Sequence, residues 1–166
     1  MKNAALLTAG LMLLSSVSVF AAPINQMANH ETAIGAGTNE SYIEHKVTRK
    51  ATLGYDYMDR DEYGDQNEVY LQYDMIGSEV KAIGGYRWDL PGDKKNAFGG
   101  VAMSTPKVMG FDAYASYVFG KDFNETQVGL NKDLIANVNL NVNYHNFEPD
   151  EGGHEHGVGV GVAVKF

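Results

Sequence analysis

The end of the chain constrains the fold more than any other stretch. From Gly157 it reads G-V-G-V-G-V-A-V-K-F, so that Val158, Val160, Val162 and Val164 alternate with Gly157, Gly159, Gly161 and Ala163. A strict period of two is a β-strand pattern. The segment before it repeats the pattern, with Ala136, Val138, Leu140, Val142 and Tyr144 set against Asn137, Asn139, Asn141, Asn143 and His145. Each strand therefore has one apolar face and one small or polar face. In a soluble sandwich the apolar face would point inward. In a transmembrane barrel it points to lipid, and the polar face lines the interior.

The start of the chain favours the second arrangement. Lys2 precedes an apolar run from Ala4 to Leu14, followed by small residues up to Ala21 and Ala22. This is the form of a secretory signal peptide, expected over residues 1–21, with the barrel domain over 22–166. The chain has no Cys, which excludes disulfides and a lipid-anchoring cysteine. Without Lys2 the Lys and Arg total falls from 13 to 12 against 21 acidic residues, a net charge of −9. That balance argues against a nucleic-acid partner, which needs a basic face.

Alternation recurs along the chain, in Ala51–Met58, Glu68–Met75, Val80–Trp88 and Phe111–Phe119. Thr126–Asn131 is shorter, Ala97–Ser104 is ambiguous in facing, and Thr32–Thr38 and Ser41–Val47 are weak strands. Residues 23–29 are expected to be an unstructured lead-in. The connections after residues 58, 88, 119 and 146 are expected to be long, polar loops, including acidic Asp59–Asn67 and Phe147–Glu155, whereas those after 47, 75, 104 and 131 are short. Long loops at one end and short turns at the other describe an outer-membrane barrel. Tyr55, Tyr57, Tyr86, Trp88, Tyr117, Phe119, Tyr144 and Phe147 gather beside the long loops, where an interfacial aromatic girdle would sit.

The pattern thus predicts an all-β fold: a transmembrane antiparallel up-and-down β-barrel, with ten strands favoured and eight as the alternative. The polar faces place Asp56, Glu68, Asp74, Lys81, Arg87, Asp112, Asn137, Asn139, Asn141, Asn143 and Lys165 along the lumen. The expected location is the outer membrane of a Gram-negative envelope, with outer-membrane lipid as the surrounding partner.

The stretch E-V-K-A-I-G-G-Y-R-W-D-L-P-G-D-K-K-N-A-F-G-G-V (Glu79–Val101), with V-N-L-N-V-N-Y-H-N-F-E (Val138–Glu148) and terminal V-G-V-A-V-K-F, resembles the YfaZ-type family of small outer-membrane proteins. The resemblance implies the barrel fold and the outer-membrane location, and implies no activity. Phe166 resembles the terminal signal that outer-membrane assembly machinery reads, which makes that machinery an expected partner.

Two function classes follow. One is a narrow porin-like channel for small solutes, its lumen lined by glycines and the Asn ladder. The other is a non-conducting structural or adhesive envelope protein acting through acidic outer loops, its interior plugged by paired charges. Ser116 and His145 both fall on lumenal faces, but on separate strands, and no catalytic role is expected. Glu148, Asp150, Glu151, His154, Glu155 and His156 crowd one loop, but their spacing is not that of a zinc site, and neither metal nor cofactor is expected.

Deleting Phe166 is expected to affect assembly more than stability. A rim aromatic buries part of one ring, about 1 kcal/mol. Refolding yield in detergent should stay near wild type while outer-membrane abundance in cells falls. Unchanged abundance would reduce Phe166 to a girdle residue.

Overall fold

The computed structural model describes residues 22–60, 63–135 and 137–166. The signal-like residues 1–21 lie outside the described residues, as do Ala136 and two positions of the expected acidic loop. Ten strands follow in chain order: β1 (Thr32–Gly37), β2 (Glu40–Lys46), β3 (Ala51–Arg60), β4 (Gly64–Ile76), β5 (Val80–Leu90), β6 (Lys94–Ser104), β7 (Phe111–Gly120), β8 (Phe123–Ile135), β9 (Val138–Pro149) and β10 (Glu155–Lys165). Each pairs antiparallel with its sequence neighbours, and β1 pairs with β10 to close the ring. Of the two strand counts, the structure has ten. The described residues contain no helix.

Closure runs from Ala33 opposite Lys165 to Gly37 opposite Gly161. It is extended by a reciprocal pair of backbone hydrogen bonds between Thr32 and Phe166, 2.8 and 2.9 Å. Among the described residues every strand pairs with a neighbour on each side, so the sheet has no edge strand.

The side chains obey the two-residue period. Ile43, Leu53, Val69, Leu71, Val101, Val128, Leu130, Val142, Val160 and Val164 are exposed on the outer face. Charged and amide residues are buried on the inner face. This inverts the arrangement of a water-soluble protein, and apolar atoms outside with charges inside is the arrangement that lipid requires. Strand β2, with no evident apolar face in the sequence, turns Glu40, Tyr42, Glu44 and Lys46 inward and Ser41, Ile43 and His45 outward.

The expected difference in loop length is not present. Asp59–Asn67 is mostly strand, because β3 and β4 continue to a connection of residues 61–63. The other connections at that end span residues 38–39, 91–93, 121–122 and 150–154, while the longest between described strands, 105–110, is at the terminus-bearing end, where β1 begins and β10 ends. The physical reason is that antiparallel pairing can continue beyond the apolar belt into water, because its hydrogen bonds do not depend on which side chains the strands carry. The asymmetry lies in the strands themselves. Past Tyr55 and Tyr86 the β3–β4 hairpin continues through the pairs Met58–Gln66, Asp59–Asp65 and Arg60–Gly64. That is about 10 Å at the usual rise of a strand. Outward residues there are polar: Asp59, Asp65, Lys121 and His156. At the terminus-bearing end the outer face stays apolar down to the turns, through Met75, Ile76, Phe111, Leu134, Ile135 and Phe166.

Tyr55, Tyr86, Tyr117, Phe119 and Tyr144 point outward in a ring at the upper edge of the belt, with Tyr57 and Trp88 half-buried beside them. Phe147, assigned to that girdle from the sequence, is instead fully buried inside the barrel. Its position in the alternation explains this: it is two residues beyond His145, which also faces inward.

The belt predicts a depth-dependent cost. Val142→Arg, on the outer face of β9, should destabilise the barrel in lipid by ~2–4 kcal/mol, and Asn124→Arg, opposite Phe119 at the level of the girdle, by ~0–1 kcal/mol. Urea unfolding of the two variants in lipid vesicles measures the difference. Equal costs would mean that the belt is drawn at the wrong height.

Candidate functional site

Among the described residues, chemically active side chains converge in the interior, which is filled rather than hollow. Three levels can be followed along the barrel axis. The upper level is a bridge of guanidinium and carboxylate groups. Arg87 Nη2 lies 2.6 Å from Glu68 Oε2, and its Nη1 lies 2.6 Å from Glu125 Oε2. The same Glu125 carboxylate meets Arg60 Nη2 at 3.2 Å, and Arg60 Nη1 reaches Glu155 Oε1 at 3.4 Å. β3, β4, β5, β8 and β10 are thus tied together across the lumen. Aromatic rings brace the cations: the Arg60 guanidinium sits 3.9 Å from the centre of Phe147, and that of Arg87 4.5 Å from Phe123. Guanidinium groups suit this role because they are planar, weakly hydrated and able to stack while donating in plane.

The middle level holds tyrosines laid flat against the wall. Tyr42 stands opposite Gly35, and Tyr70 opposite Gly54. A Cβ added at either glycine would come within 2.3 Å of the facing ring. The glycines are therefore required by close approach, and the rings occupy the space they leave. Tyr70 donates its hydroxyl to Glu44 Oε1 at 3.0 Å, and Gln72 Nε2 donates to the same oxygen at 2.9 Å.

The lower level pairs Asp74 with two lysines, Lys46 at 2.5 Å and Lys81 at 3.2 Å. Beside it an amide chain links Asn143, Asn141 and Asn131 to Asp112, each step 2.8 Å.

Through these levels runs a segment that the sequence did not reveal. Residues 23–29 were expected to be an unstructured lead-in, yet Ala22–Asn25 are buried inside the barrel. The segment enters from the terminus-bearing end, and the wall reads its backbone. Asn131 Nδ2 donates to Ile24 O at 3.1 Å, and Lys165 Nζ donates to Gln26 O at 2.9 Å. Asn25 Nδ2 donates to Glu44 Oε2 at 2.8 Å, and Ala22 N donates to Asp56 Oδ2 at 2.8 Å. What remains open around Ala22 and Ile24 is a cavity of about 30 Å³ between Arg87, Phe98 and Gln127, with room for about one or two waters.

Of the residues expected to line the lumen, Asp56, Glu68, Asp74, Lys81, Arg87, Asp112, Asn139, Asn141, Asn143 and Lys165 are buried on the inner face. Asn137 is not among them: it lies in the β8–β9 turn and is exposed. Sequence reasoning missed Arg60, Glu125 and Glu155, which fall in stretches read as loop, and Glu40, Glu44 and Lys46, which fall in or beside the weak strand β2. Their parity held the signal, since Arg60 continues the inward series of Asp56 and Met58, and Glu125 precedes inward Gln127 by two.

The crowded acidic loop is dispersed. Glu155 faces the lumen toward Arg60, Glu151 pairs with Lys94 at 3.1 Å, and Glu148 lies 3.5 Å from His154. Ser116 and His145 fall in one register row, with Gln127 standing between them.

The class defined by this fold is a small antiparallel transmembrane β-barrel with a filled polar interior. No family model and no curated protein matches the chain. Among solved structures it is similar to the N-terminal β-barrel domain of Pseudomonas aeruginosa OprF, with 11% identity over 84% of this chain and 100% of that one, TM-score 0.43. It is also similar to a KdgM porin, with 8% identity over 82% and 96%, TM-score 0.48. A third likeness is to an anion-selective porin from Comamonas acidovorans, with 17% identity over 76% of this chain and 48% of that one, TM-score 0.38.

The bridging carboxylate should dominate interior stability. Glu125→Ala leaves two buried guanidiniums short of a partner and should cost about 3–5 kcal/mol. Glu151→Ala removes an exposed ion pair, worth about 0–1 kcal/mol. Denaturant midpoints of the refolded variants test the ranking, which fails if the two losses are equal.

Proposed function

We propose that this protein is an outer-membrane β-barrel of the Gram-negative envelope with a closed lumen, and that it serves there as a non-conducting protein presenting an acidic outer rim. The bridge from Glu68 through Arg87, Glu125 and Arg60 to Glu155 carries this reading, because it crosses the lumen with every member buried. A hydrated ion passing that level would have to part pairs already made in a water-poor interior, at a cost no open pore imposes.

The apolar outer face, the signal-like start and the terminal Phe166 support insertion in the outer membrane, with assembly machinery recognising the end of β10. The terminus-bearing end then faces the periplasm and the projecting hairpins face outward. The resemblance to the YfaZ-type family agrees with this placement. The narrow porin-like reading asks for a lumen that passes small solutes, and here Tyr42, Tyr70 and the segment Ala22–Gln26 occupy that space. No catalytic role is assigned to Ser116 or His145.

The refolded mature protein should migrate heat-modifiably on a gel and show no steady conductance in planar lipid bilayers. Reproducible ohmic steps would overturn the closed-lumen reading in favour of the channel.

A further inference from the structure

The inner wall carries more negative charge than its own cations can match. Eight acidic side chains are buried there, Glu40, Glu44, Asp56, Glu68, Asp74, Asp112, Glu125 and Glu155, against Lys46, Arg60, Lys81, Arg87 and Lys165. Asp56 is the most exacting of them. It is 0% exposed, and its Oδ1 accepts no hydrogen bond. Among the described residues no Lys, Arg or His lies within ion-pair distance of it. Glu40 and Glu68 lie close enough to add like charge, and Arg87, beyond ion-pair distance, offsets only part of it. A carboxyl in that position stays protonated unless a cation holds it ionised. The one donor the structure aims at it is the backbone nitrogen of Ala22, 2.8 Å from Oδ2.

Ala22 is also the residue expected to begin the mature chain. We propose that processing after Ala21 supplies the missing cation: the new α-ammonium of Ala22 pairs with Asp56 inside the barrel and seats Ala22–Gln26 as an internal plug. Hydrolysis adds one water across the Ala21–Ala22 bond. The carboxylate leaves with Ala21, and the amine left on Ala22 takes up a proton, as a free α-amino group beside a carboxylate does at neutral pH.

Two further features fit a chain start at this place. Ala22 packs into the same buried cluster as Phe98, Phe123 and Phe147, directly beneath the Arg60–Glu125–Arg87 bridge. The polarity of the plug also matches its walls: its amino end faces carboxylates, and its carbonyls at Ile24 and Gln26 face the amide of Asn131 and the ammonium of Lys165. Cleavage of the leader would then complete the interior as well as release the protein.

The test is amine labelling of the refolded chain that begins at Ala22, read as the mass of its N-terminal peptide. Folding of each sample is verified by heat-modifiable migration. In the folded protein the α-amine should label at least about tenfold more slowly than in urea, as a group reached only through local opening does. Asp56→Asn should lose most of that protection, and a chain extended by Gly-Ser ahead of Ala22 should label freely or refold poorly. Equal labelling of folded and unfolded wild type would overturn the proposal, as would isolation of a mature protein starting at another residue. If Asp56→Asn does not fold, the comparison of folded with unfolded wild type still decides. Channel conductance by the wild type would sink the closed-lumen reading and leave the ion pair to be judged by labelling.

Discussion

Ring closure is the constraint on which everything else in this molecule depends. A strand in hydrocarbon has no water to satisfy its backbone, so the sheet must end where it began. The seam between β1 and β10 achieves this with one of the shortest strands of the barrel, six residues, opposite the valine-glycine alternation at the chain's end. Once the ring is closed, the two faces of every strand meet different solvents. The outer face can be uniformly apolar, and the inner face must manage whatever charge the chain places there.

Charge management then sets the character of the interior. Burying an ion is costly, and the cost is recovered only where partners are close and their remaining hydrogen-bonding capacity is used. Glu125 achieves this by serving two guanidiniums, and Asp74 by serving two lysines. Such shared pairings bind strands that are distant around the ring. They make the inner wall a cross-braced body rather than a conduit. The same cross-bracing excludes water, and this strengthens the pairs that remain.

The outer face and the existence of the strands could be read in the sequence because lipid imposes one rule on every outward residue. β2 keeps the same in-and-out parity, although Ile43 is the one apolar residue among its outward Ser41, Ile43 and His45. What could not be read has three causes. Strand ends were misplaced at Asp59 and Phe147 because acidic composition suggests loop, while backbone pairing is indifferent to it. Phe147 was sent to the girdle by its type, although its parity with Asn143 and His145 placed it inside. The lumenal course of Ala22–Gln26 left no periodic trace at all, since a segment without regular structure is held by whichever wall groups happen to face its carbonyls. The interior residues legible in the sequence lie within well-marked strands; Arg60, Glu125 and Glu155 sit beyond the ends of the alternating pattern, and Glu40, Glu44 and Lys46 in or beside a strand whose pattern is weak.

The tyrosines that lie over glycines have an evolutionary consequence. Tyr42 with Gly35 and Tyr70 with Gly54 are each a ring and the hollow it rests in, one on either strand of a neighbouring pair. Neither partner can drift alone. A methyl in the hollow collides with the ring, and a smaller residue in place of the ring opens a void beside buried carboxylates. In descendants of this chain the two positions should change together or stay fixed. The glycines of the wall would then be inherited as halves of pairs, even where nothing in their own neighbourhood along the chain demands glycine.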